Sequence, residues 1–112
     1  MEGLVEGDIV VVPFPFSNLT ESKRRPALIL AVLPGDDLIL CQITSKARYD
    51  KYSVPLLAPD FRSGSLKLAS FIRPNKLLTT DKAVVLYRIA TITKEKLGEA
   101  VNQAIKILKG DA

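Results

Sequence analysis

Between Ser22 and Lys46 the chain reads as two apolar runs facing each other across a tight turn. Ala27–Leu33 is rich in leucine, isoleucine and alanine, and Pro26 starts it. Pro34-Gly35-Asp36-Asp37 combines the residues that fix φ, supply positive φ and cap a turn. Leu38–Thr44 returns. Such a pair is a β-hairpin before it is anything else. Its geometry has a chemical consequence. If the strands pair, Arg25 and Thr44 come together at the end remote from the turn, at one edge of a small sheet.

The rest of the chain extends that sheet. Gly7-Asp8 opens a β-branched run, Ile9 to Val12, which reads as a largely buried strand ended by Pro13. Phe14 and Phe16 follow at strand spacing, as core residues in the first reading and as base-stacking rings in the second. Ser17–Arg24 is polar and is expected to be a flexible surface loop. Asn18-Leu19-Thr20 fits the glycosylation pattern, by accident in a chain with no signal peptide. Ser53–Leu57 suggests a short edge strand, because Pro55 suits an edge. Ala58–Gly64 reads as a loop. Leu66–Arg73 and Val84–Ile92 read as strands, the first broken at Pro74-Asn75. Thr93 and Glu95 then open a helix whose apolar stripe is Leu97, Ala100, Val101, Ala104, Ile105 and Leu108, closed by Lys109-Gly110. About six short antiparallel strands and one C-terminal helix make a mainly β fold, a small half-open barrel with the helix packed on it. The stripe must pack on its own sheet or on another copy.

A chain of 112 residues suits one domain, taken as residues 1–112. No apolar run reaches a membrane span, and the acidic N-terminus lacks a signal pattern. A soluble cytoplasmic protein with no membrane partner is expected. The single cysteine, Cys41, lies in an apolar run and is read as a buried structural thiol. It permits neither an intrachain disulfide nor a cysteine zinc site. There is no histidine, so the commonest general base and metal ligand are absent. No phosphate-loop, dinucleotide or serine-hydrolase pattern occurs. No metal or cofactor is expected.

The net charge of +4 is unevenly spread. Glu21 to Lys76 holds ten Lys or Arg against five Asp or Glu, and the flanks hold six against seven. A basic middle suits a polyanion such as nucleic acid, and equally suits an ordinary solvated surface. Arginine binds phosphate through a planar fork of paired donors. Threonine donates a hydrogen bond to an oxygen that gains charge. Arg25, Thr44 and Arg73 therefore fit phosphodiester cleavage in which an RNA 2′-hydroxyl attacks its own neighbouring phosphorus. Taken singly, Arg25 is as well explained as a surface arginine and Thr44 as a strand former.

Several blocks, in order, carry a resemblance. These are Gly7-Asp8-Ile9-Val10, Arg25-Pro26-Ala27-Leu28-Ile29-Leu30, Gln42-Ile43-Thr44-Ser45-Lys46 and Leu68–Arg73. Together they resemble the MazF/PemK family of toxin endoribonucleases of type II toxin–antitoxin systems. The resemblance implies an SH3-like half-open β-barrel of the CcdB/MazF type, usually a homodimer. It implies metal-independent cleavage of single-stranded RNA or mRNA at short sequences, leaving a 2′,3′-cyclic phosphate and a 5′-hydroxyl. It also implies a cognate antitoxin, expected to be an acidic segment folding onto the basic surface. By position, the family's catalytic arginine and threonine fall on Arg25 and Thr44, and the arginine of its Gln-Ile-Arg segment on Arg73. Lys23, Arg24, Lys46, Arg48 and Arg73 are the expected RNA contacts. The general base is unassigned, with Glu21 the nearest acidic residue. Ser70 and Phe71 stand where many members carry an acidic residue and a glutamine. The alternatives are a CcdB-like module of the same fold that binds gyrase or another protein, and a non-toxic RNA-binding barrel.

Overall fold

The computed structural model describes residues 3–15, 22–46 and 50–111. Among these residues seven strands form one antiparallel sheet: β1 Asp8–Pro15, β2 Ser22–Val32, β3 Asp37–Thr44, β4 Val54–Leu56, β5 Phe61–Gly64, β6 Ser70–Asp81 and β7 Tyr87–Ile92. Helix α1, Lys94–Lys109, follows. The spatial order is β4-β6-β3-β2-β1-β7-β5. The sheet curls into a half-barrel, as expected from the sequence.

Successive residues of the central strands feed two different cores. Ile9, Leu28, Cys41, Ile43, Ile72 and Ala100 share one cluster with Val54, Leu56, Ala90 and Ile92. Val10, Val12, Phe14, Ala27, Ile29, Leu38 and Leu40 share another with Val85, against Leu4 and Leu78. A strand buried on both faces has no polar side, which explains the unbroken Ile9–Val12 run. Each such Val, Leu or Ile contributes about 1.5–3 kcal/mol of burial. Cys41 lies in the first core as a free thiol, and burial pushes its pKa up to about 12.

The strands run further than prolines suggested. β1 continues through Pro13 and Pro15 because its pairing with β7 ends at Val11↔Tyr87. Beyond that point it has only β2 beside it, so a missing N–H costs no ladder bond on the open side. β2 begins at Ser22, so Ser22, Lys23 and Arg24 belong to a strand, paired with Pro15, Phe14 and Pro13. The rest of the expected 17–24 loop, with Phe16 and Glu21, lies outside the described residues. β6 does not break at Pro74. Its register with β3 jumps from Gln42↔Arg73 to Cys41↔Leu77, and Pro74 sits buried in the bulge where no ladder bond is required.

Two further corrections follow from local geometry. The stretch expected to be a loop, 58–64, is a single 3-10 turn at Ala58–Asp60 followed by β5, an edge strand on β7. Gly64 makes that edge possible: its φ is 69°, and a Cβ there would strike the Ile89 carbonyl. The last strand starts at Tyr87, since Lys82–Val84 form a 3-10 turn capped by the Asp81 carboxylate accepting from Ala83 N–H at 2.8 Å. The sheet thus has one strand more than the sequence suggested.

Thr93 caps α1 as expected, its hydroxyl oxygen accepting Lys96 N–H at 3.2 Å. Gly110 closes the helix in the left-handed conformation, φ 79°. Asp60 ties this helix to the 3-10 turn: its carbonyl accepts Thr93 N–H and its carboxylate lies 3.5 Å from Lys96 Nζ. Ala100 and Ala104 of the stripe are buried, but Ile105 is 43% and Leu108 73% exposed. The stripe is therefore divided, its first part on the sheet and its end outside. No helix among the described residues is long and apolar enough to cross a membrane.

Among the described residues Asp8 is the buried carboxylate, 1% exposed. Its Oδ2 accepts Val5 N–H at 3.0 Å and Arg88 Nη1 at 3.2 Å, and its Oδ1 accepts the Thr91 hydroxyl at 2.8 Å. Gly7, at φ 96°, turns the chain into this position. Asp8→Ala should lower stability by about 2–3 kcal/mol, measured by urea unfolding. Arg88 can turn to water, but Val5 N–H and the Thr91 hydroxyl lose their acceptor.

Candidate active site

The β2–β3 register runs Ile29↔Leu40, Leu28↔Cys41, Ala27↔Gln42. Two residues further along the same two strands, Arg25 and Thr44 meet at the mouth of one cleft of about 210 Å³. Its polar wall is Arg25, Thr44, Ser45, Lys67 and Ser70, and its apolar wall is Pro26, Ile43, Leu66 and Leu68. The edge proposed from the sequence is thus a real concavity. Both residues are half-buried, while Leu68 is 66% exposed at the rim.

Alternation along β2 sorts the neighbouring cations. Lys23 lies on the same strand face as Arg25, whereas Arg24 lies on the opposite one. Both are exposed. Lys46 is exposed just past the end of β3, and its N–H donates to Thr44 Oγ1 at 3.2 Å. That contact uses a lone pair of the hydroxyl and leaves its O–H free to donate elsewhere. Arg48 lies outside the described residues.

Arg73 is placed differently. On β6 it pairs with Gln42, as Phe71 pairs with Thr44, so all four side chains emerge on one face of the sheet. It does not line the cleft. Its side chain is only 12% exposed, and Nη2 lies 3.7 Å from Asp50 Oδ2. Its Nε is buried without a hydrogen-bond partner among the described residues. Asp50 in turn accepts Tyr52 N–H at 3.0 Å and Ser53 N–H at 2.8 Å on Oδ1.

Desolvation works against the charged form of Asp50, but the N–H donors of Ser53 and Tyr52 and the Arg73 charge outweigh it and hold the carboxyl below its ordinary value of 3.8. A carboxyl lowered in the fold stabilises above its unfolded pKa, and that contribution disappears as pH falls through the folded pKa. Asp50→Asn should therefore melt at lower temperature than the parent at pH 7. The gap should close only below about pH 3.8, as thermal melts across a pH series would record.

Sequence reasoning did not find Asp50 or Lys67 as part of this region, and it named Ser70 only as a departure from the family pattern. Asp50 carried a readable signal, an aspartate two and three residues before N–H groups that need an acceptor ahead of a strand. Ser70 is 7% exposed, and its hydroxyl donates to the Leu68 carbonyl at 2.8 Å. It shapes the cleft wall by fixing the Leu68 turn. Lys67 enters only through that turn, which nothing local announces.

The comparisons agree with this architecture. Residues 6–108 match the family described as PemK-like, MazF-like toxin of type II toxin–antitoxin system. No curated protein matches. Among solved structures, MazF from Deinococcus radiodurans is similar at a TM-score of 0.75 and 21% identity, covering 95% of this chain and 96% of that one. An endoribonuclease in complex with its cognate antitoxin, from a mycobacterial species, is similar at a TM-score of 0.71 and 14% identity, covering 96% of each chain. Mycobacterium tuberculosis toxin MazF-mt6 is similar at a TM-score of 0.65 and 18% identity, covering 90% of this chain and 96% of that one. With the family pattern spanning almost the whole sequence, the chain belongs to the PemK-like, MazF-like toxins of type II toxin–antitoxin systems.

Proposed function

We propose that this toxin is a metal-independent endoribonuclease that cuts single-stranded RNA at short sequences and so stops translation. The observation that carries the proposal is the convergence of Arg25 and Thr44 on one cleft with an apolar wall. The cleft offers a cation and a hydroxyl for a phosphate, and beside them apolar surface for an unstacked base. Structures of similar fold described as endoribonucleases support it.

The step itself transfers phosphorus between oxygens of the substrate. The ribose 2′-oxygen attacks the adjacent phosphorus, and the bond to the 5′-oxygen of the next nucleotide breaks. A proton leaves the 2′-hydroxyl and one is delivered to the departing 5′-oxygen, giving a 2′,3′-cyclic phosphate and a 5′-hydroxyl. Arg25 offsets the charge on the pentacoordinate phosphate, because a guanidinium stays protonated and is a poor base. Thr44 O–H donates to a non-bridging oxygen. Water, or an oxygen of the RNA, carries the proton, as the chain has no histidine. Lys23, Arg24 and Lys46 contact flanking phosphates, with Lys23 and Lys46 beside the cleft and Arg24 on the far side of β2. Arg48 belongs to the same basic stretch of sequence.

The purified protein should cut a long RNA in EDTA, read as fragments ending in cyclic phosphate. Arg25→Ala and Thr44→Ala should each slow cutting by about 100-fold. Uncut RNA, or variants that cut as fast as the parent, would refute the assignment.

The toxin is further proposed to act as a cytoplasmic homodimer restrained by an acidic antitoxin. Ile105 and Leu108 at the exposed end of the helix stripe supply apolar surface for a second copy. The basic cleft region supplies the charge complement for the antitoxin. Sedimentation at micromolar concentration should give a dimer, and a short acidic protein encoded beside the toxin should co-sediment with it and stop RNA cutting. A monomer that binds no such protein would count against both.

A further inference from the structure

A guanidinium as buried as Arg73 needs a partner, and a buried cation without one is costly. Asp50 is that partner, but its position is itself unusual for a surface acid. Its Oδ1 is committed to two backbone donors, Tyr52 N–H and Ser53 N–H, which lead directly into β4. β4 pairs with β6 through Val54↔Ile72, beside Arg73. Asp50 thus stands four residues ahead of β4, on the turn that its own carboxylate closes, and Arg73 lies on the adjacent strand β6. Asp50 is held in a fixed place, and its Oδ2 faces Arg73.

The separation of 3.7 Å is longer than a direct N–H···O hydrogen bond. The pair attracts as two charges without forming a tight bidentate fork, so guanidinium donors remain for a further acceptor. The β3–β6 register then decides where those donors are. Gln42↔Arg73 is two residues from Thr44↔Phe71, with no shift between them, so Arg73 is the diagonal neighbour of Thr44 on the same face. Diagonal neighbours in an antiparallel pair lie within reach of a long side chain.

We infer that Asp50 is a positioning residue for Arg73: the carboxylate, fixed by two backbone N–H groups, holds the guanidinium on the sheet face that carries Thr44, where it meets the RNA phosphate. This rests on the ribonuclease reading above. Asp50 touches no substrate and acts only through Arg73.

The test is a double-mutant cycle on the full chain, with kcat and KM measured on one RNA. A misplacement of about 1 Å at a reacting centre costs about 100-fold. Asp50→Ala should lower kcat by at least about tenfold with KM nearly unchanged, and Arg73→Ala should do the same. The double variant should be no slower than Arg73→Ala alone, because Asp50 has nothing left to orient. A brace that only stabilises the fold would lower the melting temperature and leave kcat intact, and that result overturns the inference. Losses that multiply in the double variant also overturn it. If Asp50→Ala does not fold by circular dichroism, Asp50→Asn takes its place, since its amide oxygen still accepts Tyr52 and Ser53 N–H but carries no charge. Parent protein that cuts no RNA overturns both this inference and its foundation. Parent protein that cuts while the Asp50 variants cut equally well overturns this inference alone.

Discussion

The buried carboxylate of Asp8 is the point on which the sheet turns. A charge in the interior is tolerated only when its oxygens are filled, and Asp8 fills them from three directions. Val5 comes from the segment before β1, and Arg88 and Thr91 come from β7. The bonds therefore fasten β1, next to the central strand β2, to β7 near the end of the chain. Gly7 continues the same junction, donating its N–H to the Ile29 carbonyl of β2 and accepting Ile92 N–H at its own carbonyl. Chain start, β2 and β7 meet within two residues. The Gly-Asp that opens the first strand is thus an architectural signature. The cleft lined by Arg25 and Thr44 lies elsewhere, toward the start of β2.

That separation explains what the sequence disclosed. The hairpin was legible because its turn and apolar runs are local, and so was the helix, with Thr93 and Gly110 at its ends. Pairing Arg25 with Thr44 needed only the hairpin register. What stayed hidden depends on partners remote in sequence. Pro74 looks like a strand breaker until the bulge opposite Cys41 and Gln42 supplies a place that asks for no N–H. β5 looks like a loop because Gly64 marks flexibility in sequence, whereas here it lets the chain pass close over Ile89 and Ala90. Ser22 to Arg24 look polar and loose, and become a strand because Pro13–Pro15 run alongside.

The site repeats the lesson with charge. Arg25 and Arg73 look equivalent as arginines next to apolar runs. The fold gives them different surroundings: one lines a cleft, and the other is folded against a carboxylate fixed by its own turn. Counting cations marks the basic middle of the chain, but it could not show that Arg24 and Arg25 face opposite ways. Strand alternation decides that, and only after the strand is known to begin at Ser22.

The two ends of the sheet have a consequence for assembly in solution. An open sheet edge is a template on which another chain can grow. Here one border is β4, three residues long with a proline at its centre, and the other is β5, four residues long and ending at Gly64. Neither border offers a foreign strand more than a few consecutive hydrogen bonds, and Pro55 offers no N–H at all. The two terminal strands of the half-barrel are thereby too short to template a long foreign strand.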